Sequence, residues 1–513
     1  MNNNYMTENK NKVIAKNTLL LSIRTVIVLF ITLYTTRIIL KSLGVEDFGV
    51  YNVVGGFVSM FAFLNSSMSN GIQRFFNYEY KTNGIDGATK VYNTSLRIQI
   101  LLACLVLLLT ESFGLWYMHN KMVIPPERFV AALFIYQTSI ISLVLVILQV
   151  PFTAAVMAHE RMDFFAFVSM IDALARLGIA FIISYINSDR LILYGSLLLF
   201  VNTIDLLAYY FYTKRNFIEI QLQKKRTGLF KSMLSFSGWN IFGTFANIMK
   251  EQGMNLVLNI FLGPIVNAAR GIAAQINSGL QNLVVNLSIA VRPQLVQSYA
   301  EGNVERSMQL VYTISKFSCC FLYIFSLPIL LEIDTILNIW LGSNIPNHTN
   351  TFVYIIILTS FVNNLNAAIS NIVHASGKMR LYQVTGGIAI LMAIPMAYLV
   401  LKWGYEPEWA LGMGCFSMII AQILALLVLK TIVNYSIFDY LKKVIYPLVL
   451  LVILSIPPIY LIHLVMNEGL IRLFVVLLSS FVIIGGIIYK ITLESNERFF
   501  INTYIMSIKK RLL

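Results

Sequence analysis

Charge is what this sequence has least of. Only 12% of its 513 residues are charged, where a soluble chain carries roughly 25%. That deficit excludes a water-solvated globular domain and leaves lipid as the main solvent. Cysteine is also scarce: Cys104, Cys319, Cys320 and Cys415 all fall in apolar stretches at no metal-ligand or redox spacing. They read as small buried hydrophobes. His and Cys nowhere pair at metal spacing, and no nucleophile–base constellation is visible, so neither a metal nor a catalytic residue is expected. The short-period alternation of a membrane β-barrel is missing as well.

What is present is apolar length. Hydrophobic residues make up 58% of the chain, and windows of about 20 residues, enough to cross a bilayer core as a helix, recur about fourteen times. The windows lie near 17–41, 48–72, 94–115, 129–150, 164–186, 191–213, 232–256, 264–291, 310–331, 351–373, 381–401, 409–429, 444–465 and 470–489. The first is too long for a signal-peptide core and reads as a retained span. Lys and Arg crowd alternate connections. If the N-terminus is cytoplasmic, the outer segments keep only Lys41, Lys121, Arg128, Arg190, Lys402 and Arg472. This positive-inside bias puts both termini in the cytoplasm and accounts for the net charge of +14 without nucleic acid.

Two segments repeat. At an offset of 218 residues, Asn52 lies over Arg270, Ser59 over Asn277, Asn70 over Ser288, Arg74 over Arg292 and Gly84 over Gly302. Spans 1–6 and 7–12 thus read as two copies with one orientation, related by an axis along the membrane normal. The expectation is an all-α polytopic membrane protein of about fourteen transmembrane helices. Two parallel six-helix lobes would surround a central cavity, with a C-terminal helix pair appended. The parts are a cytoplasmic N-terminus 1–16, an N-lobe 17–213, a basic linker 214–231, a C-lobe 232–430, spans 13–14 over 431–490 and a cytoplasmic tail 491–513.

The stretch RIILKSLGVEDFGVYNV (37–53) resembles the span 1–2 junction of polysaccharide flippases, Arg-Leu-Leu-Gly-Pro-Glu-Glu-(Tyr/Phe)-Gly-Leu-Tyr. Arg37, Leu43, Gly44, Glu46, Phe48, Gly49 and Tyr51 match, with Val45 in the place of Pro; FLGPIVNAARGIAAQI (261–276) is similar to the second-half counterpart. That family belongs with multidrug and toxin extruders and lipid II flippases. The resemblance implies a non-enzymatic exporter in a bacterial cell membrane. Its cargo would be an undecaprenyl-diphosphate-linked oligosaccharide, moved to the outer leaflet for O-antigen, capsule or other surface polysaccharide. Polysaccharide polymerase and glycosyltransferases are then possible partners. No cofactor is implied, and coupling to Na⁺ or H⁺ is left open.

Intramembrane polar residues are the site candidates. A charge at the bilayer centre costs about 2.5–3.5 kcal/mol, so it is kept facing a cavity or a partner. Arg24 and Arg270 have no acid at helical spacing and are the expected diphosphate ligands; the competing reading is an inter-helix bridge to Asp205 or Glu251. Lys250 and Glu251 are adjacent and are expected to point apart. Asp172 and Arg176 are four residues apart and are expected to pair structurally. Arg270, Asn277, Gln281, Ser288 and Arg292 fall within about 40° of one helix line. Asn52, Ser59, Ser66 and Asn70 form a similar line on span 2, and span 10 adds Asn363 and Asn366. With Lys250, these amides and hydroxyls read as a glycan-facing surface or as packing glue in equal measure. Two other functions compete. A multidrug exporter of organic cations would use acids such as Asp205. A membrane polymerase or glycosyltransferase would use Glu332 and Asp334, which lack a convergent partner.

Overall fold

A computed structural model describes residues 2–159, 161–186, 188–223, 228–342, 344–376, 378–493 and 498; side chains are described from residue 24 onward, except at 62–67, 70, 235–241, 286–293, 296 and 300. Among the described residues there is helix and no strand. In chain order the helices are α1 (Asn2–Ser59), α2 (Phe63–Leu109), α3 (Leu115–Asn120), α4 (Phe129–Ala158), α5 (Met162–Tyr185) and α6 (Arg190–Asn216). After the linker come α7 (Leu229–Leu262), α8 (Pro264–Ala300), α9 (Val304–Leu331), the short α10 (Ile333–Leu341) and α11 (Thr349–Ser376). Then follow α12 (Met379–Leu391), α13 (Ala393–Lys402), α14 (Pro407–Ile432), α15 (Ile437–Tyr440), α16 (Tyr446–Val465) and α17 (Leu470–Ile487). Eleven helical stretches among the described residues are long and apolar enough to cross a membrane. The chain is a multi-pass, all-α membrane protein.

The long apolar runs are helical because lipid offers no partner for backbone N–H and C=O groups, and a helix satisfies them internally. Glycine decides where they bend. α1 breaks at Gly44 (φ 80°, ψ 169°) and α2 at Gly84 (φ 61°, ψ −147°). Gly263 (φ 76°, ψ −174°) separates α7 from α8, and Gly302 (φ 76°) separates α8 from α9. All four sit in the left-handed region that only glycine enters without penalty. Gly44 and Gly263, one residue off the 218 offset, share nearly the same conformation, and φ is positive at both Gly84 and Gly302. Pro264 opens α8, where its missing N–H costs nothing; Val45 occupies the same place after Gly44.

The chain divides into two compact units that do not follow the 17–213 and 232–430 halves. One comprises 1–272, 343–349 and 390–414; the other comprises 273–342, 350–389 and 415–513. The first unit is centred on Val53, Phe57, Ile135, Tyr136 and Ile147, all buried. In the π-helical turn at Thr110–Gly114 the Thr110 carbonyl accepts both the Leu115 N–H and, at 2.7 Å, the Tyr136 hydroxyl. Here too α1 packs on the hairpin of α7 and α8 with almost no side chain between. A Cβ on Gly49 would land on the Pro264 carbonyl oxygen, and one on Gly56 would sit 2.6 Å from Gln252 Oε1. The second unit holds one cluster around Val311, Ile369, Leu429 and Tyr440. A second cluster packs Cys320, Tyr323 and Leu327 of α9 against Leu451 and Ile459 of α16 and Val476 and Ile484 of α17.

Candidate functional site

The Gly263 break folds α8 back along α7 and sets Arg270 beside residues about three turns up the preceding helix. Arg270 Nη2 donates to Glu251 Oε2 at 2.7 Å, and Nη1 to Asn255 Oδ1 at 2.7 Å. Lys250 Nζ lies 3.0 Å from Glu251 Oε1. Lys250 and Glu251 pair although their Cβ atoms diverge by about 100° around the helix, because two long side chains bridge that angle. Arg270 has no acid at helical spacing and meets Glu251 across the hairpin, the bridge of the competing reading. The carboxylate is shared, one oxygen to each cation. Asn267 Nδ2 ties α8 to the Asn255 carbonyl at 2.8 Å, and Asn255 in turn donates to Gln252 Oε1 at 2.9 Å.

The cluster has two cations and one acid, and its parts are unequally covered. The side chains of Lys250 and Arg270 are 10% and 6% exposed, that of Glu251 52%. Arg270 Nε and Asn267 Oδ1 are buried without a partner. A half-exposed carboxylate on a membrane helix is tolerated where it faces a watery space rather than acyl chains. The arrangement can hold an anion through residual positive charge once Glu251 yields, or meet a cation at Glu251.

Arg24 keeps different company. Its Nε donates to Ser169 Oγ of α5 at 2.7 Å, and its guanidinium lies 5.0 Å over the Phe165 ring. Among the described residues it pairs with no carboxylate, Asp205 included. Arg176 Nε is 2.9 Å from Asp172 Oδ1, within α5, and Nη2 reaches Asn202 Oδ1 of α6 at 3.3 Å.

The polar stripes are mostly engaged. Asn52 donates to its own helix at the Phe48 carbonyl (2.7 Å), while its amide also fills the space above Gly271. Ser59 donates to the Gly56 carbonyl at 2.8 Å. Asn277 accepts from Ser360 of α11 at 2.6 Å, and Asn366 accepts from the Tyr382 hydroxyl of α12. Gln281 Nε2 has no partner, and Asn363 is exposed. The side chains of Ser66, Asn70, Ser288 and Arg292 lie outside the described residues.

Several residues escaped sequence reasoning. Asn255 and Asn267 complete the Arg270 cluster. Lys316, inside the 310–331 window, is 2% exposed within α9. Asn259, fully buried at the end of α7, holds the 3–4 connection by both backbone atoms of Val123: N to Oδ1 at 2.9 Å and Nδ2 to O at 3.1 Å. Arg128 forks onto Asp47 (2.7 Å) and Asp189 (2.8 Å), which gives the acidic stretch after Gly44 a structural partner. That bond holds the Asp189 carboxyl below the usual carboxylate range. The only signal available was an acid–base–acid set on three outer connections, which sequence spacing does not link.

Residues 241–399 match the MatE family model. A search of curated sequences returns no match. Solved structures share the fold at low identity. A multidrug resistance MATE family transporter of the MOP superfamily, in its inward-facing conformation, aligns with a TM-score of 0.66 at 13% identity, over 78% of this chain and 94% of its own. The lipid II flippase MurJ, inward closed, aligns at 0.63 and 13% over 92% of this chain and 98% of its own. A MOP superfamily transporter from Pyrococcus furiosus aligns at 0.58 and 14% over 81% and 95%. These likenesses show a MATE- and MurJ-type transporter fold, and at 0.63 the lipid II flippase aligns across nearly the whole length.

Proposed function

We propose that this chain is a bacterial cell-membrane flippase that moves an undecaprenyl-diphosphate-linked oligosaccharide from the inner to the outer leaflet by alternating access. The observation that carries the reading is the cationic excess on intramembrane helices: among the described residues Lys250 and Arg270 share one acid, and Arg24 has none. A diphosphate offers several acceptor oxygens and suits guanidinium donors. Arg24 and Arg270 would contact it. An inside-negative potential assists export, by about 2.3 kcal/mol per charge per 100 mV. Binding of a polyprenyl-diphosphate oligosaccharide to the purified protein tests this. Arg24→Ala and Arg270→Ala should each weaken it about tenfold or more, ~1.4 kcal/mol; unchanged affinity in both overturns the reading.

A second reading rests on Glu251. It is the exposed member of its cluster, and an exposed acid on a MATE-type fold suits an organic cation. For the Pyrococcus furiosus transporter, reverse polarity of the binding pocket suggests a different function, so pocket charge and not fold is the property that selects cargo. Protection of cells against cationic drugs that is lost in Glu251→Gln, with no polyprenyl-diphosphate binding, would favour this reading.

A further inference from the structure

The second unit carries a charged cluster that neither reading uses. Glu332 lies between α9 and α10, and its side chain is fully buried. Arg472, in the first turn of α17, donates to Oε2 from both Nε (3.1 Å) and Nη2 (3.0 Å), with Nε 2.9 Å from Oε1. His463, in the last turn of α16, places Nδ1 2.8 Å from Oε1, and Thr335 of α10 donates to Oε2 at 3.1 Å. One carboxylate thus binds both helices of the appended pair to the end of α9. By the charge-derived orientation this is the outer face.

A cavity of about 240 Å³ opens beside it, lined among others by Asp334, Tyr354, Tyr460 and Glu468. The groups facing His463 are therefore Glu332 from the α9 end, Asp334 and Thr335 from α10, Tyr354 from α11, Tyr460 from its own helix, and Glu468 and Arg472 from the α17 side. Asp334 is bonded to Asn350, and Glu468 lies 3.8 Å from Arg472 with its side chain 79% exposed. Three carboxylates face one guanidinium. Neutral His463 leaves this set two charges short of balance. Protonated His463 halves the imbalance and turns its bond to Glu332 into one between full charges, the stronger kind. His463 lines this cavity, which is the route by which a proton would reach it. Histidine is the side chain that changes charge between about pH 5 and 8.

We propose that Glu332, Arg472 and His463 form a proton-operated latch, closed when His463 is protonated, that fixes the outer end of the α16–α17 pair to α9 and α10. Lower down, the pair is held by the Tyr323 hydroxyl against Ser455 Oγ at 2.8 Å and by apolar packing. Loosening the latch frees the outer ends while the middle stays docked. The latch is independent of which cargo the protein carries.

The test is a pulsed electron-spin distance measurement on the full-length protein. Spin-labelled amino acids replace Asn338 of α10 and Asn467 of the α16–α17 turn, leaving the native cysteines in place. In wild type the narrow, short-distance population should fall about twofold from about pH 5.5 to pH 8.5. His463→Gln, which keeps the Glu332–Arg472 pair, should show the same distribution at both pH values. Glu332→Gln should be broad at both. A wild-type distribution that ignores pH, or a pH response that persists in His463→Gln, overturns the proposal. If Glu332→Gln does not fold, the His463→Gln comparison still decides.

Discussion

Arg24 and Arg270 look alike in sequence, each a lone cation on an apolar helix without an acid at helical spacing. In the structure they differ. Arg270 is buried in an ion cluster with Glu251, Lys250 and Asn255, whereas Arg24 rests on a serine hydroxyl and a phenyl face. A buried arginine that shares a carboxylate with a lysine has a structural duty before any ligand arrives. An arginine with one neutral hydrogen bond keeps most of its donors for a ligand. The two should therefore respond differently to the same substitution.

The largest effect tests the frame that builds the Arg270 cluster. Gly49→Val would drive a side chain into the Pro264 carbonyl, a backbone atom that cannot turn aside. Overpacking of this kind costs about 1–3 kcal/mol or more, and loss of folded protein on size-exclusion chromatography is expected. Gly271→Ala meets only the Asn52 amide at 2.9 Å, which can rotate, so it should fold.

Next comes Glu251→Ala, which leaves Lys250 and Arg270 as unbalanced like charges. Breaking a buried pair costs about 3–5 kcal/mol, and the half-exposed carboxylate places this near the lower end. A drop in unfolding temperature in detergent, partly restored by adding Lys250→Met, is the expected result. An unchanged midpoint would remove the cluster as a structural element.

Arg24→Ala should cost under about 1 kcal/mol of stability, one hydrogen bond and a cation–π contact. Its binding loss should nonetheless match that of Arg270→Ala. Equal destabilisation of both variants would erase the contrast between the two arginines.

The smallest effect lies at the outer clamp. Asp189 is held below its ordinary range by Arg128, so its contribution is present above the ordinary carboxylate pKa and is lost as pH falls through the folded value. Asp189→Asn should be less stable than wild type by under about 1 kcal/mol at neutral pH, and the gap should close below about pH 4.

Much of the fold was legible because it is local. Apolar length produces helices wherever lipid is the solvent, and the paired breaks were foreshadowed by glycines at matching offsets, Gly84 with Gly302 and Gly44 beside Gly263–Pro264. The site was half legible. Arg24 and Arg270 stood out because charge in an apolar run is conspicuous, but their partners did not. The Asn277–Ser360 bond joins helices far apart in the chain, and no spacing rule reaches across such a gap. Asn255 was passed over because an amide near a span end looks solvated until a neighbouring helix covers it.

By itself the sequence determined that this protein lives in a bilayer, that it does so as helices, and where the chain must turn. Those properties follow from hydropathy and from backbone freedom, which belong to each residue. The tertiary structure alone decided which charges meet. Whether Arg270 reaches Glu251, or Glu332 gathers Arg472 and His463 from two other helices, depends on how helices cross. Crossing is set by the shapes of packed surfaces, a glycine against a proline carbonyl among them, and not by any residue alone.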